Sequence, residues 1–141
     1  MLRKVAALDA RRRALVAYGF AWVLISKAAL AVPGVSLPRR QQSLDRLAAC
    51  LPAPPRCAPS EAAWAITAAA RRIPGTRCLE WALALRGLLA QAGIASALRL
   101  GVAADGQGAI RAHAWIETAS ATWSWGDTDE YSVLRPHVTR R

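Results

Sequence analysis

The chain has 141 residues, of which 54% are apolar and 20% are charged. This composition excludes general disorder, and the length suffices for a single domain with a core of its own. Three cysteines are too few, and odd in number, for a disulfide scaffold.

The net charge of +10 is concentrated in the first half of the chain. Residues 1–77 contain 13 Lys and Arg against 3 Asp and Glu, whereas residues 78–141 contain 6 of each sign. Such an excess suits an acidic partner, although GC-rich coding explains it equally, since 17 basic residues are Arg and 32 residues are Ala. No zinc-finger spacing or RNA-binding strand pattern accompanies the charge, so nucleic acid is not an expected partner.

Residues 5–31 are predicted to form one long helix, in which the basic cluster 11–13 precedes an apolar run, 14–32. Three interpretations of this run stay open. It is long enough to span a membrane, although Lys27 disfavours that placement. It also has the features of a signal peptide, with residues 29–31 as the cleavage pattern. We favour the third interpretation, a helix that packs on the domain or rests on a membrane surface.

Two shorter helices are expected next. Pro38 suits the first turn of a helix that ends near residue 51. Ser60 is the predicted N-cap of a helix over residues 61–72. Between them, Cys50 and Cys57 flank a proline-rich connection without the spacing of zinc ligands, so we expect neither a metal nor a cofactor. The two cysteines are interpreted as inert thiols, with a disulfide between them as the alternative.

After the third helix the pattern predicts one more helix and then a small antiparallel sheet. Thr76 is the expected N-cap of a helix over residues 77–92, which puts Cys78 in its first turn. Alternating apolar positions predict strands over 97–103, 109–118 and 122–125, and residues 131–134 are expected to form a short final element. The fold class is therefore α+β, with an N-terminal helical region over residues 1–58 and a core domain over residues 59–141.

Cys78 and His113 are the residues best suited to chemistry. The nucleophilic form of cysteine is the thiolate, and a helix N-terminus stabilises it through unpaired N–H groups and the positive end of the helix dipole. His113 lies in the middle of a predicted strand between two alanines, which leave room for its ring. A histidine that acts as a base also needs a third group to fix its tautomer.

Strand geometry suggests Asp127 as that third group. A hairpin centred on Ser120 places Asp127 directly opposite His113, where both side chains point to the same face. A shift of the register by one residue would remove this pairing. Asp129 and Glu117 therefore stay as alternative acids, although Glu117 lies about 13 Å along the strand from the histidine.

Four stretches of the chain, residues 78–89, 93–94, 98–102 and 112–117, resemble the transglutaminase-like cysteine peptidases of lasso peptide biosynthesis. Those proteins remove the leader from a ribosomally made precursor. The Cys-Leu opening, the Gly-Val strand end and the Ala-His-Ala-Trp run carry the resemblance together. It extends loosely over the N-terminal helices, which that family also has.

The resemblance implies a transglutaminase/papain-like core whose catalytic cysteine begins a helix packed on the sheet. By its pattern, Cys78 is the nucleophile, His113 the base and Asp127 the orienting acid. The family's acid usually lies closer to the histidine, at the position that Trp125 occupies in this chain.

The resemblance also implies partners. The family occurs either fused to a winged-helix module that binds the leader or split from it, and we expect this chain to be the stand-alone peptidase. A separate leader-recognition protein, the precursor peptide as substrate and an ATP-using lasso cyclase would then act with it in the cytoplasm, where membrane association stays open. The alternatives are a transglutaminase-like acyltransferase and a non-catalytic peptide-binding or membrane-associated scaffold.

Overall fold

A computed structural model describes residues 9–104, 106–125 and 132–133. Within this part of the chain, helices come first and strands follow. The helices are α1 (Ala10–Ala31), α2 (Leu37–Cys50), α3 (Pro59–Ala70) and α4 (Cys78–Gln91). The strands are β1 (Ala97–Ala104), β2 (Ile110–Glu117), β3 (Thr122–Ser124) and β4 (Ser132–Val133). This order confirms the predicted α+β fold.

The sheet is antiparallel and has the strand order β3-β2-β1-β4. Strands β1 and β2 pair along their whole length. Gly106 and Gly108, both with positive φ, lie in the hairpin that joins these strands, and a glycine adopts that conformation without strain. The long β1–β2 pair forms the platform on which α4 packs.

Helix α4 is the centre of the fold, because α1, α2, α3 and the sheet all pack against it. Nearly all of its residues from Trp81 to Leu89 are buried. The sheet contributes Ala114 and Ile116 of β2 to the same core. The outer helices therefore need only one apolar stripe to pack against the core. Helix α4, in contrast, must be apolar on almost every side.

Helix α1 is an integral part of this core. Its buried residues recur at helical spacing and are Leu15, Val16, Gly19, Trp22, Val23 and Ser26. The helix begins at Ala10 with Asp9 as its N-cap, whose side chain accepts a hydrogen bond of 2.7 Å from the backbone N–H of Arg12. The basic cluster 11–13 lies inside the helix, as predicted, but the helix begins at residue 10 rather than at residue 5. By length and composition alone, α1 would also suffice to cross a membrane.

The predicted N-cap of α3 is wrong. The helix begins at Pro59 with Ala58 as the N-cap, so Ser60 lies in the first turn. The backbone N–H of Ala58 donates to Oε1 of Glu61 at 3.1 Å. A glutamate at the third helical position thus satisfies the start of the helix, and the serine is not needed as a cap.

The same arrangement displaces the predicted cap of α4. The N-cap is Arg77, whose backbone N–H donates to Oε2 of Glu80 at 2.8 Å. The Thr76 hydroxyl instead donates to the carbonyl oxygen of Ile73 at 2.8 Å, in the turn that ends α3. Because an arginine side chain has no hydrogen-bond acceptor, only the glutamate half of a capping box forms here. Cys78 becomes the first residue of α4.

Candidate active site

Cys78 occupies the helix start that the sequence predicts. It is the first residue of α4, its thiol is free, and it is half-buried against the core. The N–H groups of a first helical turn have no acceptor within the helix, and the dipole there favours negative charge. A thiolate or an oxyanion at Cys78 would therefore meet hydrogen-bond donors and a favourable field.

His113 lies in the middle of β2, as predicted, and is buried. Gly101 of β1 stands directly opposite it, so no neighbouring side chain crowds the ring from that strand. The ring stacks on Trp115, with 6.0 Å between centroids and 27° between planes. Burial lowers the pKa of His113. The imidazole is therefore neutral at neutral pH, which is the form that accepts a proton.

The structure brings the elements that carry Cys78 and His113 together, because α4 packs on β2. Alternate side chains of a strand point to opposite faces. Ala114 and Ile116 lie in the core that α4 shares. His113 and Trp115 therefore point to the other face of β2. The catalytic triad therefore stays a prediction.

The register used to select the acid is wrong by one residue. In the structure, Trp115 pairs with Ser124 and Glu117 pairs with Thr122, so a two-residue turn joins β2 to β3. The turn is closed by a hydrogen bond of 2.9 Å from the backbone N–H of Thr118 to the carbonyl oxygen of residue 121. Hairpins favour two-residue turns because their twist matches that of the strands.

This register removes the geometric reason for choosing Asp127. Residue 127 no longer falls opposite His113 when the β2–β3 pairing is continued. Asp127 and its alternative Asp129 both lie outside the described residues. Asp127 stays a prediction that rests on the family resemblance.

Two other residues near the predicted acid have structural partners. Glu117 accepts hydrogen bonds from Nε of Arg99 at 3.0 Å and from Nε1 of Trp115 at 3.4 Å. Trp125, at the position where the resembling family has its acid, packs edge to face on Trp81 with 6.4 Å between ring centroids. Trp81 lies one turn after the start of α4, so this contact holds the end of β3 near that start.

The remaining cysteines do not form a disulfide. Cys50 is exposed and Cys57 is half-buried, and both thiols are free. Burial raises the pKa of the Cys57 thiol, which reduces its thiolate fraction and its reactivity. The structure thus agrees with their interpretation as inert thiols.

The sequence singled out Lys27 only as a residue that disfavours membrane insertion and did not single out Glu80, although both lie at the candidate site. Lys27 Nζ and Glu80 Oε2 form an ion pair of 3.0 Å between α1 and the first turn of α4. One signal was available, because a glutamate two residues after a helix-starting cysteine is a typical third-position capping residue.

A cysteine that begins a central helix, packed on an antiparallel sheet that carries a buried histidine, is an arrangement of α+β cysteine enzymes. The sequence matches the Transglutaminase-like superfamily over residues 14–137, from within α1 to beyond the last strand. The chain therefore belongs to this superfamily, which includes cysteine peptidases and acyltransferases. Searches of curated proteins and of solved structures gave no significant match.

Proposed function

We propose that this protein is a cysteine peptidase that removes the leader peptide from a lasso peptide precursor. The observation that carries the proposal is the position of Cys78 as the first residue of α4, in a chain that belongs to the transglutaminase-like superfamily. The resemblance of residues 78–89 and 112–117 to leader-removing peptidases supports the substrate.

In the proposed reaction, the Cys78 sulfur attacks the carbonyl carbon of the peptide bond at the leader–core junction. His113 takes the thiol proton and passes it to the nitrogen of the leaving amine, so the C–N bond breaks and a thioester remains. N–H groups at the start of α4 stabilise the oxyanion of the tetrahedral intermediate. Water then attacks the thioester, which releases the leader as a carboxylate and restores the thiol.

This mechanism requires a hydrogen bond between the thiol and the imidazole in the substrate complex. Catalytic hydrogen bonds are often absent or long without substrate and form in the substrate complex. The low pKa of buried His113 supplies the neutral ring that the first step needs. We assign Asp127 to the orientation of that ring, on the strength of the resemblance.

The proposal places the protein in the cytoplasm, where precursors are made. Trp22 and Val23 are buried in the core against other helices. Cleavage at residues 29–31, as in a signal peptide, would remove both side chains and expose the apolar face of α4. We therefore infer that α1 stays in the working protein. Its outer side still carries exposed Leu24 and Val32, which leaves membrane association as part of the proposal.

We further propose that the basic N-terminal half docks a separate leader-recognition protein. The structure distinguishes arginines that hold the fold from those that do not. Arg11 pairs with Glu61, and Arg40 donates to backbone carbonyls. Arg13 and Arg39 are exposed. Charge reversal of the latter two is therefore the suitable test of docking.

The experiment measures precursor cleavage against precursor concentration, with and without the leader-recognition protein, at low and high salt. Tethering raises the effective concentration of the scissile bond, so the partner should lower the apparent KM more than it raises turnover. Arg13→Glu and Arg39→Glu should reduce this stimulation and leave the basal rate unchanged, and salt should weaken it, because exposed charges are screened within about 8 Å at physiological ionic strength. Equal rates with and without partner would contradict the split arrangement.

Added hydroxylamine distinguishes hydrolysis from acyl transfer. A peptidase releases the leader with a free carboxylate, whereas an acyltransferase yields mainly the hydroxamate, in which the amine has replaced water. Mass spectrometry of the released leader separates the two products. Predominant hydroxamate at modest amine concentration would overturn the peptidase in favour of the acyltransferase.

A further inference from the structure

A lysine from the apolar helix α1 reaches the first turn of the helix that begins with Cys78. Lys27 Nζ lies 3.0 Å from Oε2 of Glu80, and the two side chains are only 24% and 17% exposed. The same carboxylate oxygen accepts the backbone N–H of Arg77 at 2.8 Å. One hydrogen bond and one ion pair thereby fix the negative charge of Glu80 at the start of α4, in the same helical turn as Cys78.

This arrangement creates an electrostatic conflict at the helix start. The fixed carboxylate caps the helix and interacts with the positive end of the helix dipole. Its own negative charge, however, disfavours a second anion nearby. A thiolate at Cys78 would be such an anion. The ammonium group of Lys27 offsets the carboxylate, and partial burial makes this compensation stronger than it would be in water.

The other charged groups on elements packed against α4 leave this role to Lys27. Beside Glu80 and Arg77 of α4 itself, the charged group that the described ion pairs place at the start of α4 is Lys27 from α1. Carboxylates farther along the packed elements have arginine partners of their own, in the pairs Glu61–Arg11, Asp45–Arg86 and Glu117–Arg99. The ion pair with one specific carboxylate, that of Glu80, thus explains why the apolar helix α1 contains a lysine.

We propose that Lys27 is a positioning residue of the active site, which neutralises the capping carboxylate of Glu80 so that its charge does not oppose the anion that develops at Cys78. This inference rests on the proposed role of Cys78 as the nucleophile. It assigns to α1 an electrostatic function in the site, in addition to its packing in the core.

The test measures the alkylation rate of Cys78 by iodoacetamide at pH 7, in a Cys50→Ser, Cys57→Ala background in which Cys78 is the remaining thiol. Lys27→Gln should slow alkylation by about three- to tenfold, because it leaves Glu80 uncompensated. Glu80→Gln should speed it, since the amide oxygen keeps the hydrogen bond to Arg77 without the charge. In the Glu80→Gln background, Lys27→Gln should slow alkylation less, because the carboxylate no longer holds the ammonium group at the start of α4.

Two control variants separate this effect from loss of packing or of general positive charge. Lys27→Arg should keep the alkylation rate of the background. Arg13→Gln, which removes one exposed charge from the same helix, should keep it as well. Thermal unfolding followed by circular dichroism confirms that each variant is folded.

Alkylation of Lys27→Gln at the background rate, or equal slowing in the presence and absence of Glu80→Gln, would overturn the inference. If Lys27→Gln does not fold, Glu80→Gln alone decides, because slower alkylation of that variant would contradict the proposed sign. The readout needs no precursor peptide. Alkylation that follows this pattern in a protein that leaves the precursor intact would therefore refute the peptidase function alone.

Discussion

The indole Nε1 of Trp22 on α1 donates a hydrogen bond of 2.8 Å to Oε1 of Gln91 at the end of α4. Gln91 in turn donates through Nε2 to the carbonyl oxygen of Pro52 in the proline-rich connection. Both side chains are buried, so each polar group has the partner that burial requires. Together with the ion pair between Lys27 and Glu80, this contact fixes α1 at both ends of α4.

The close approach of α1 and α4 predicts that Gly87→Ala destabilises the protein. A Cβ atom at Gly87 would lie 2.3 Å from Cε3 of Trp22, too close for any real contact. In an exposed helix this substitution stabilises by about 1 kcal/mol. Here we expect a loss of about 1–3 kcal/mol in the free energy of unfolding, because the buried indole must move. Urea unfolding measures the change. Exposed Ala90→Ser on the same helix is the control, and unchanged stability of Gly87→Ala would contradict this packing.

Arg40 and Arg39 should differ sharply in their effect on stability. Arg40 donates to the carbonyl oxygens of Ala29, Val32 and Val35, at 2.7 Å to the second and 2.9 Å to the third. It therefore satisfies acceptors at the C-terminal end of α1 that the helix leaves open.

Arg40→Ala should lower the free energy of unfolding by about 1–3 kcal/mol, whereas Arg39→Ala should change it by less than about 0.5 kcal/mol. The thermal unfolding midpoints of the two variants make the comparison. Similar midpoints for both would show that Arg40 does not hold the end of α1.

The ion pair between Arg11 and Glu61 predicts a dependence of stability on acid. The hydrogen bond from Arg11 lowers the pKa of Glu61 from 4.5 to about 2. Because the pKa is lower in the folded state, the carboxylate stabilises the protein above the unfolded pKa, and this contribution is lost as the pH falls from about 4.5 towards 2. Glu61→Gln lacks the contribution at every pH. Its deficit in urea unfolding relative to wild type should thus shrink over that range, and a constant deficit would contradict the pair.

The sequence was sufficient for the parts of the fold that depend on local pattern. The apolar run of α4, the glycine at residue 93 and the alternation in β1 and β2 predicted the central helix, its sheet and the position of Cys78. The caps of α3 and α4 were wrong, because glutamates three residues after each N-cap compete with Ser60 and Thr76 for that role.

Features that depend on tertiary contacts could not be predicted from the sequence pattern. A two-residue turn shifted the β2–β3 register by one, which changed the residue expected opposite His113. Lys27 and Glu80 are 53 residues apart, and only the packing of α1 on α4 brings them together. In the sequence, a lysine within an apolar run indicated only a free-energy cost of membrane insertion. In the structure, the ion-pair partner of that lysine lies on another helix.

A direct comparison of cysteine variants tests whether the Cys78 thiol cleaves the precursor. Purified wild type, Cys78→Ala and Cys50→Ser are incubated with the precursor and the leader-recognition protein, and released leader is quantified by mass spectrometry. Wild type and Cys50→Ser should cleave at equal rates, while folded Cys78→Ala should lose at least about a thousandfold in rate, because the nucleophile is gone. Cleavage by Cys78→Ala at the wild-type rate would contradict the claim.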